Sequence, residues 1–413
     1  MGGPIARIGR RYAEDGLAGL RAGARRRLAD RIEASALPDR LIEHTREERL
    51  DREELLARSE REGRCLRFDR DDDLPTLPAI GERLSPAERE RYHVYPLREY
   101  TADPPFVCEL SDARLVGWPP IALSEGRVIV ETLVSRAVEA GRPHDAIRAA
   151  VASAPLSVST ALLGSETHIG ANRRLESACL LHNAWCNYYH WTLEHLPKLR
   201  ALERYREETG DVPTLVIPPD PPGWLRESLW LAGGDSYPIV EYAPGRVDRL
   251  VVPAYPDPTR ENCRWLCDRV RERAGIAGDV SQTRESAEGS ERIFVSRRGA
   301  DRRDVLNEER VMERLSELGF ESSRLETLSV AQQARLFADA EIVVAPHGAG
   351  LTNLIYAEEC AVLELFGHRV KEHYYRLAAA LGFEYDHLLC EPSDEDMVAD
   401  PDAVVAAVRG LLD

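Results

Sequence analysis

Three short segments of this 413-residue chain hold side chains whose types and spacing could do chemistry. In the run Asn187-Tyr-Tyr-His190-Trp-Thr-Leu-Glu194, helical spacing puts Asn187, His190 and Glu194 on one face, so the carboxylate can orient the imidazole as a general base. Lys198 continues that face by count, but Pro197 removes a hydrogen bond, and the alignment is secure only through Glu194. The second segment, Ser296 to Glu308, places Arg297, Arg302 and Arg303 just after a strand-like run. A guanidinium fork there suits a diphosphate better than an ammonium would. The third, Ala345 to Asn353, leaves a strand, passes Gly348 and Gly350, and enters a helix near Leu351. Glycines let a backbone approach a ligand, and free N–H groups at a helix start favour phosphate. His347, Ala349, Thr352 and Asn353 flank those glycines, and polar groups on such a loop have something to bind. The loop is neither a dinucleotide fingerprint nor a P-loop.

The elements around these segments must position them. RIFVSR (292–297) reads as a strand, and NEERVMERLSELG as a helix capped by Asn307 and closed by Gly319. Ser329 and Gln332 form a capping box ahead of AQQARLFADA. Continuous apolar strands alternating with helices to the final DAVVAAVRGLLD describe a doubly wound sheet. Upstream, TLVIP (214–218) and RLVVP (249–253) read as buried strands of a second parallel sheet. In such sheets ligands bind beyond the carboxyl ends of the strands, where the loop at 345–353 lies.

With 71 acidic against 54 basic side chains the net charge is -17, which argues against a general nucleic-acid binder. Only two of those 54 cations are lysine, Lys198 and Lys371. Acid excess with little lysine fits a salt-loving cytoplasm, and arginine-rich codon usage explains the lysine scarcity equally well. Residues 1–32 run against the total, with eight arginines and three acids. They read either as a peripheral membrane contact or as a helix packed on its own acidic domain. The Asp71–Asp73 run reads as solvated charge. Eight cysteines are too dilute for a disulfide framework, and Cys263 and Cys267 read as reduced packing residues. No run is long and apolar enough for a membrane span, so a cytoplasmic protein is expected.

Taken together, the blocks 187–194, Val295-Ser-Arg297 with Leu306-Asn307-Glu308, and Ala345 to Asn353 resemble the three signature blocks of glycosyltransferase family 61. The resemblance implies a GT-B-like α/β fold of two facing Rossmann-like domains. The division expected is a helical extension over 1–60, an acceptor-side domain over 61–258 and a donor domain over 259–413. It implies an inverting transfer from a nucleotide-sugar, with UDP as the expected nucleotide, to a surface glycan or lipid-linked oligosaccharide, and no required metal. On this resemblance Ser296, Arg297 and the loop His347-Gly348-Ala349-Gly350, with Thr352 and Asn353, face the donor. Arg303 or Arg302 stands in for a basic residue usual where this chain has Asp304. Glu364 is assigned to the ribose from its position at the end of the next strand alone, not from the resemblance. His190 and Glu194 activate the acceptor hydroxyl, and Asn187 positions substrate. Two other readings stay open: a non-catalytic nucleotide- or glycan-binding protein, and a metal-dependent hydrolase built on His182, His190 and His195.

Overall fold

Two β-sheets carry the chain. The computed structural model describes residues 49–62, 64–68, 75–94, 99–133, 147–148, 150–151, 158, 173–276 and 291–412. The basic segment 1–32 and the Asp71–Asp73 run lie outside these residues, as does most of the expected extension 1–60. Among the described residues no helix is long and apolar enough to cross a membrane.

The first sheet has nine strands. They are β1 (Arg49–Leu50), β2 (Cys65–Arg67), β3 (Phe106–Val116), β4 (Ile121–Ser124), β5 (Arg127–Ile129), β6 (Arg173–Leu180), β7 (Thr214–Ile217), β8 (Ile239–Glu241) and β9 (Gly245–Pro253). Their order is β1-β5-β4-β3-β9-β6-β7-β8, with β2 added on β3. The run β9, β6, β7, β8 is parallel, as expected from TLVIP and RLVVP. Apart from the parallel pair β1–β5, the rest corrects the expectation of a parallel sheet: β3 runs antiparallel to β9, β4 and β2, and β4 to β5. Tight turns join β3, β4 and β5, which leaves no room for a crossover helix.

The second sheet is wholly parallel. It holds β10 (Arg292–Val295), β11 (Glu321–Ser323), β12 (Ile342–Pro346), β13 (Ala361–Phe366) and β14 (Glu384–Leu389) in the order β11-β10-β12-β13-β14. Every residue of β12 and β13 is buried, as continuous apolar runs in a covered parallel sheet require. This order reverses direction between β10 and β12, and an open sheet binds its ligand in the crevice beyond such a switch point.

Helices α1 (Lys198–Thr209) and α2 (Arg260–Arg273), then α3 (Glu308–Ser316), α4 (Val330–Ala338), α5 (His373–Leu381) and α6 (Pro401–Leu412), cover the sheets. One apolar cluster runs from Leu181, Leu193 and Leu215 on the first sheet's side to Val295, Phe337 and Val343 on the second's. The Ser329–Gln332 capping box opens α4 with both hydrogen bonds made, and Gly319 follows α3 at φ 80°. Asn307 precedes α3 without capping it: its amide donates to the Ala399 carbonyl at 2.7 Å and its oxygen accepts from the Ala399 N–H at 3.0 Å. That bond ties α3 to the approach to α6, a partner far along the chain. Ahead of residue 86, Leu77, Ile80 and Leu84 are buried.

Candidate active site at the sheet switch point

The segment carrying His190 folds as one α-helical turn, Tyr188–His190, followed by a π-helical stretch, Trp191–His195. Asn187 caps it, its oxygen accepting from the His190 N–H at 3.2 Å. The Leu196 N–H reaches back to the Trp191 carbonyl, a π-type bond, and α1 begins just after Pro197. Widening the helix before the proline lets the chain continue without the hydrogen bond Pro197 cannot donate. The four-residue spacing survives, and His190 Nδ1 lies 2.6 Å from Glu194 Oε2.

Glu194 is held from behind by a residue that sequence spacing could not indicate. The Tyr255 hydroxyl donates to Glu194 Oε2 at 2.6 Å, and Asn183 donates to the Tyr255 oxygen at 3.3 Å. Lys198, buried, lies with its ammonium 5.4 Å from the Tyr255 ring centre, and burial lowers its pKa. The imidazole is therefore oriented by a carboxylate that is itself fixed.

His190 and Asn187 line a cavity of about 870 Å³ whose other side is built from the second sheet's loops: Arg302, Arg303, His347, Ala349 and the stretch from Gly367 to Tyr374. A second cleft, of about 850 Å³, opens off the ends of β10 and β12, between Ser296, Arg297, Gly348 and Gly350. The segment 347–350 thus separates two spaces, with His347 and Ala349 turned to one and Gly348 and Gly350 to the other.

Arginine supplies the charge between them. Arg297 packs on Gly348 so closely that a Cβ there would lie 2.6 Å from its Nη1, and its Nη2 donates to the Arg302 carbonyl at 3.0 Å. Arg303 is held in the left-handed region, at φ 61°, by a bond from its N–H to the Glu395 carbonyl. The Nε atoms of Arg297 and Arg303 are buried without a hydrogen-bond partner. Burial lowers the pKa of both guanidiniums, and their mutual repulsion adds to it for Arg303. Two buried, like-charged donors without partners form an unbalanced site that an anion would complete.

His347 is the third polar group here. Its Nδ1 meets Glu364 Oε1 at 2.5 Å, and the Tyr385 hydroxyl donates to Glu364 Oε2 at 2.7 Å. Burial pushes Glu364 up to about 8 and His347 well down, the latter helped by Arg303, Lys371 and Arg297. Both partners are thereby uncharged at neutral pH. A protonated carboxyl donates to Nδ1 and leaves Nε2–H as a donor for the cavity.

Several expected positions need correction. Glu364 is fully buried and spent on His347 and Tyr385, so it orients the histidine instead of meeting a ribose. Thr352 and Asn353 are also fully buried and line neither space. Asn353 accepts from the Tyr188 hydroxyl at 2.7 Å and donates to Gln333 at 2.8 Å, which locks the first block to the third. The Ser296 hydroxyl donates to the Glu308 carboxylate (2.8 and 2.9 Å), so this side chain sets the loop although it lines the cleft. The helix expected near Leu351 is present and is of the 3₁₀ type, Ala349–Tyr356. His182 and His195 are buried away from the cavity; burial holds His182 down to about 3, and His195 bonds the Trp185 carbonyl at 2.8 Å. Among the described residues no group of three or more His, Cys, Asp or Glu is placed to hold a metal ion. Cys263 and Cys267 are buried in α2 as expected, while Cys65 and Cys108 face each other across β2 and β3 with sulfurs 3.3 Å apart.

Tyr255 and Lys371 are the site residues that motif spacing missed. Lysine scarcity was a usable signal for Lys371, which lines the cavity. A comparison with curated proteins finds no match to the chain. Residues 188–363 match the family model described as Glycosyltransferase 61. This segment, which carries His190, Arg297, Arg303 and His347, is similar to glycosyltransferase family 61.

Proposed function

We propose that the protein is an inverting glycosyltransferase that moves a sugar from a nucleoside-diphosphate donor to an acceptor hydroxyl. The observation that carries the reading is the shared cavity: His190 with its oriented Glu194 faces Arg303 and His347, next to two buried arginine Nε atoms that have no partner. The nucleoside occupies the cleft off β10 and β12, and the diphosphate lies over Arg297 and Arg303. The backbone at 348–350 approaches it closely because Gly348 has no side chain. His190 takes the proton from the acceptor hydroxyl, whose oxygen bonds to the anomeric carbon. The bond from that carbon to the diphosphate oxygen breaks, and its electron pair leaves on the diphosphate, where fixed guanidinium charge stabilises it. Glu194 stabilises the imidazolium that forms. A single displacement inverts the anomeric centre. UDP is the expected nucleotide, and a GT-B arrangement with domains over 61–258 and 259–413 fits two sheets whose loops meet at one cavity.

The test is titration calorimetry with UDP and GDP on the wild type, Arg297→Ala and Arg303→Ala. Each substitution removes a charge-assisted contact and should weaken nucleotide binding about 10- to 100-fold. Wild-type affinity in both variants would move the diphosphate elsewhere.

A further inference from the structure

Cys65 on β2 and Cys108 on β3 are direct partners in an antiparallel pair, with Leu66 opposite Val107 as the next rung. The Glu109 N–H donates to the Arg64 carbonyl at 2.9 Å, and the Phe68 N–H to the Pro105 carbonyl at 3.1 Å. Hydrogen-bonded rungs alternate with open ones in such a ladder, so Cys65 and Cys108 meet at an open rung. Backbones approach to about 4.5 Å there, within the roughly 4.4–6.8 Å between Cα atoms that a disulfide spans. The Cys108 thiol points at Cys65 Sγ across 3.3 Å. Bonding needs the sulfurs to close by about 1.3 Å, which side-chain rotation supplies.

The two thiols differ as a stepwise oxidation requires. Cys65 is partly exposed, whereas Cys108 is fully buried. The hydrogen bond from Cys108, helped by the Arg67 charge, lowers the Cys65 pKa, so Cys65 is the thiolate that an oxidant meets. Cys108 is shut off from a bulky oxidant and is placed to resolve what forms on Cys65.

The stretch of chain between the two cysteines grips the second sheet. Arg83 donates to the Tyr385 carbonyl at 2.8 Å, and the Tyr92 hydroxyl to the Cys390 carbonyl at 3.1 Å. His93–Val94 pairs with Arg369–Val370, and Arg369 lines the cavity beside His190. At the base of this loop, β2 is only three residues long and is paired with β3. A covalent bond there holds the loop end when so short a ladder opens.

We propose that Cys65 and Cys108 form a redox-reversible cross-strand disulfide that clamps the base of the loop bridging the two sheets. The oxidant is a small disulfide such as oxidised glutathione. The Cys65 thiolate attacks one glutathione sulfur and expels the other glutathione as a thiolate. Cys108 then loses its proton and attacks the Cys65 sulfur, and the second glutathione leaves. Two protein thiols become one disulfide, and the two released glutathione thiolates take up the two protons. None of this depends on the glycosyltransferase reading.

The full-length protein is incubated with millimolar oxidised glutathione, alkylated, digested and mapped by mass spectrometry without reduction. Most chains should link the peptide holding Cys65 to the one holding Cys108, and dithiothreitol should reverse the link. In the linked form, amide exchange in β2 should slow about tenfold or more. Cys108→Ala should instead keep glutathione on Cys65, and Cys108→Ser serves if the Ala variant does not fold. An unlinked wild type, glutathione left unresolved on its Cys65, or a link to another cysteine or another chain overturns the proposal. Unchanged exchange in β2 of the linked form overturns the clamp.

Discussion

Gly348→Ala should weaken nucleotide binding with the fold intact, and Gly350→Ala should do the reverse. At Gly348 the backbone is extended, at φ -176°, so alanine adopts it without strain. Its Cβ would lie 2.6 Å from Arg297 Nη1 and 3.3 Å from the Cδ and Cζ of the same side chain. Ordinary contact is about 3.5 Å, so the guanidinium must retreat by roughly 1 Å. An arginine tip moves easily, and the stability change should stay within about 0.5 kcal/mol. The displaced guanidinium loses a charge-assisted hydrogen bond to the diphosphate, worth about 1.5–3 kcal/mol, or roughly 10- to 100-fold in Kd. At Gly350 the new Cβ would meet Leu325 Cδ1 at 2.8 Å and Val295 Cγ1 at 3.2 Å, and both side chains are buried. Overpacking of that kind costs about 1–3 kcal/mol. Calorimetric titration of UDP and thermal unfolding, run on both variants, separate the two effects. UDP affinity in Gly348→Ala equal to wild type would refute the placement of Arg297 on the diphosphate.

Two further substitutions probe the buried polar groups. Glu364 keeps its proton in the folded state up to about pH 8 against a usual 4.5, so its contribution to stability is present at low pH and lost as pH rises through about 8. His347 opposes this only below about pH 6.5, where the unfolded imidazole takes a proton. Glu364→Gln should therefore gain on the wild type in Tm between about pH 6.5 and 8, and a constant difference across that window would contradict a protonated carboxyl. Asn353→Ala removes the hydrogen bonds that the Tyr188 hydroxyl and Gln333 Oε1 make to Asn353, and should cost about 2–4 kcal/mol in urea unfolding. A loss under 0.5 kcal/mol would show that this link is not needed to hold the blocks together.

The parts of the site readable from residue order are those set by local geometry. The spacing of His190 and Glu194 held even through a π-helical stretch, because the bond needs only neighbouring turns. The second sheet was readable because its central strands are apolar on both faces. Strand direction in the first sheet was not, since an apolar run reads alike in a parallel or antiparallel neighbourhood. Glu364 was misplaced for a related reason: a strand-end carboxylate looks available in sequence, and only the fold shows it buried under Tyr385. Tyr255 reaches Glu194 from 61 residues away, and no periodicity connects them. Asn307, Thr352 and Asn353 sit in motifs whose polar side chains serve the packing of the loops instead of the ligand.

Whether His190 is the base of a sugar transfer in this cavity is decided by nucleotide release from a panel of UDP- and GDP-sugars with glycan acceptors. Wild type and His190→Ala are compared at saturating donor. A catalytic His190 requires turnover by the wild type with at least one donor, a loss of about 100-fold or more in kcat for His190→Ala, and unchanged donor Kd. Undiminished kcat in His190→Ala would contradict it.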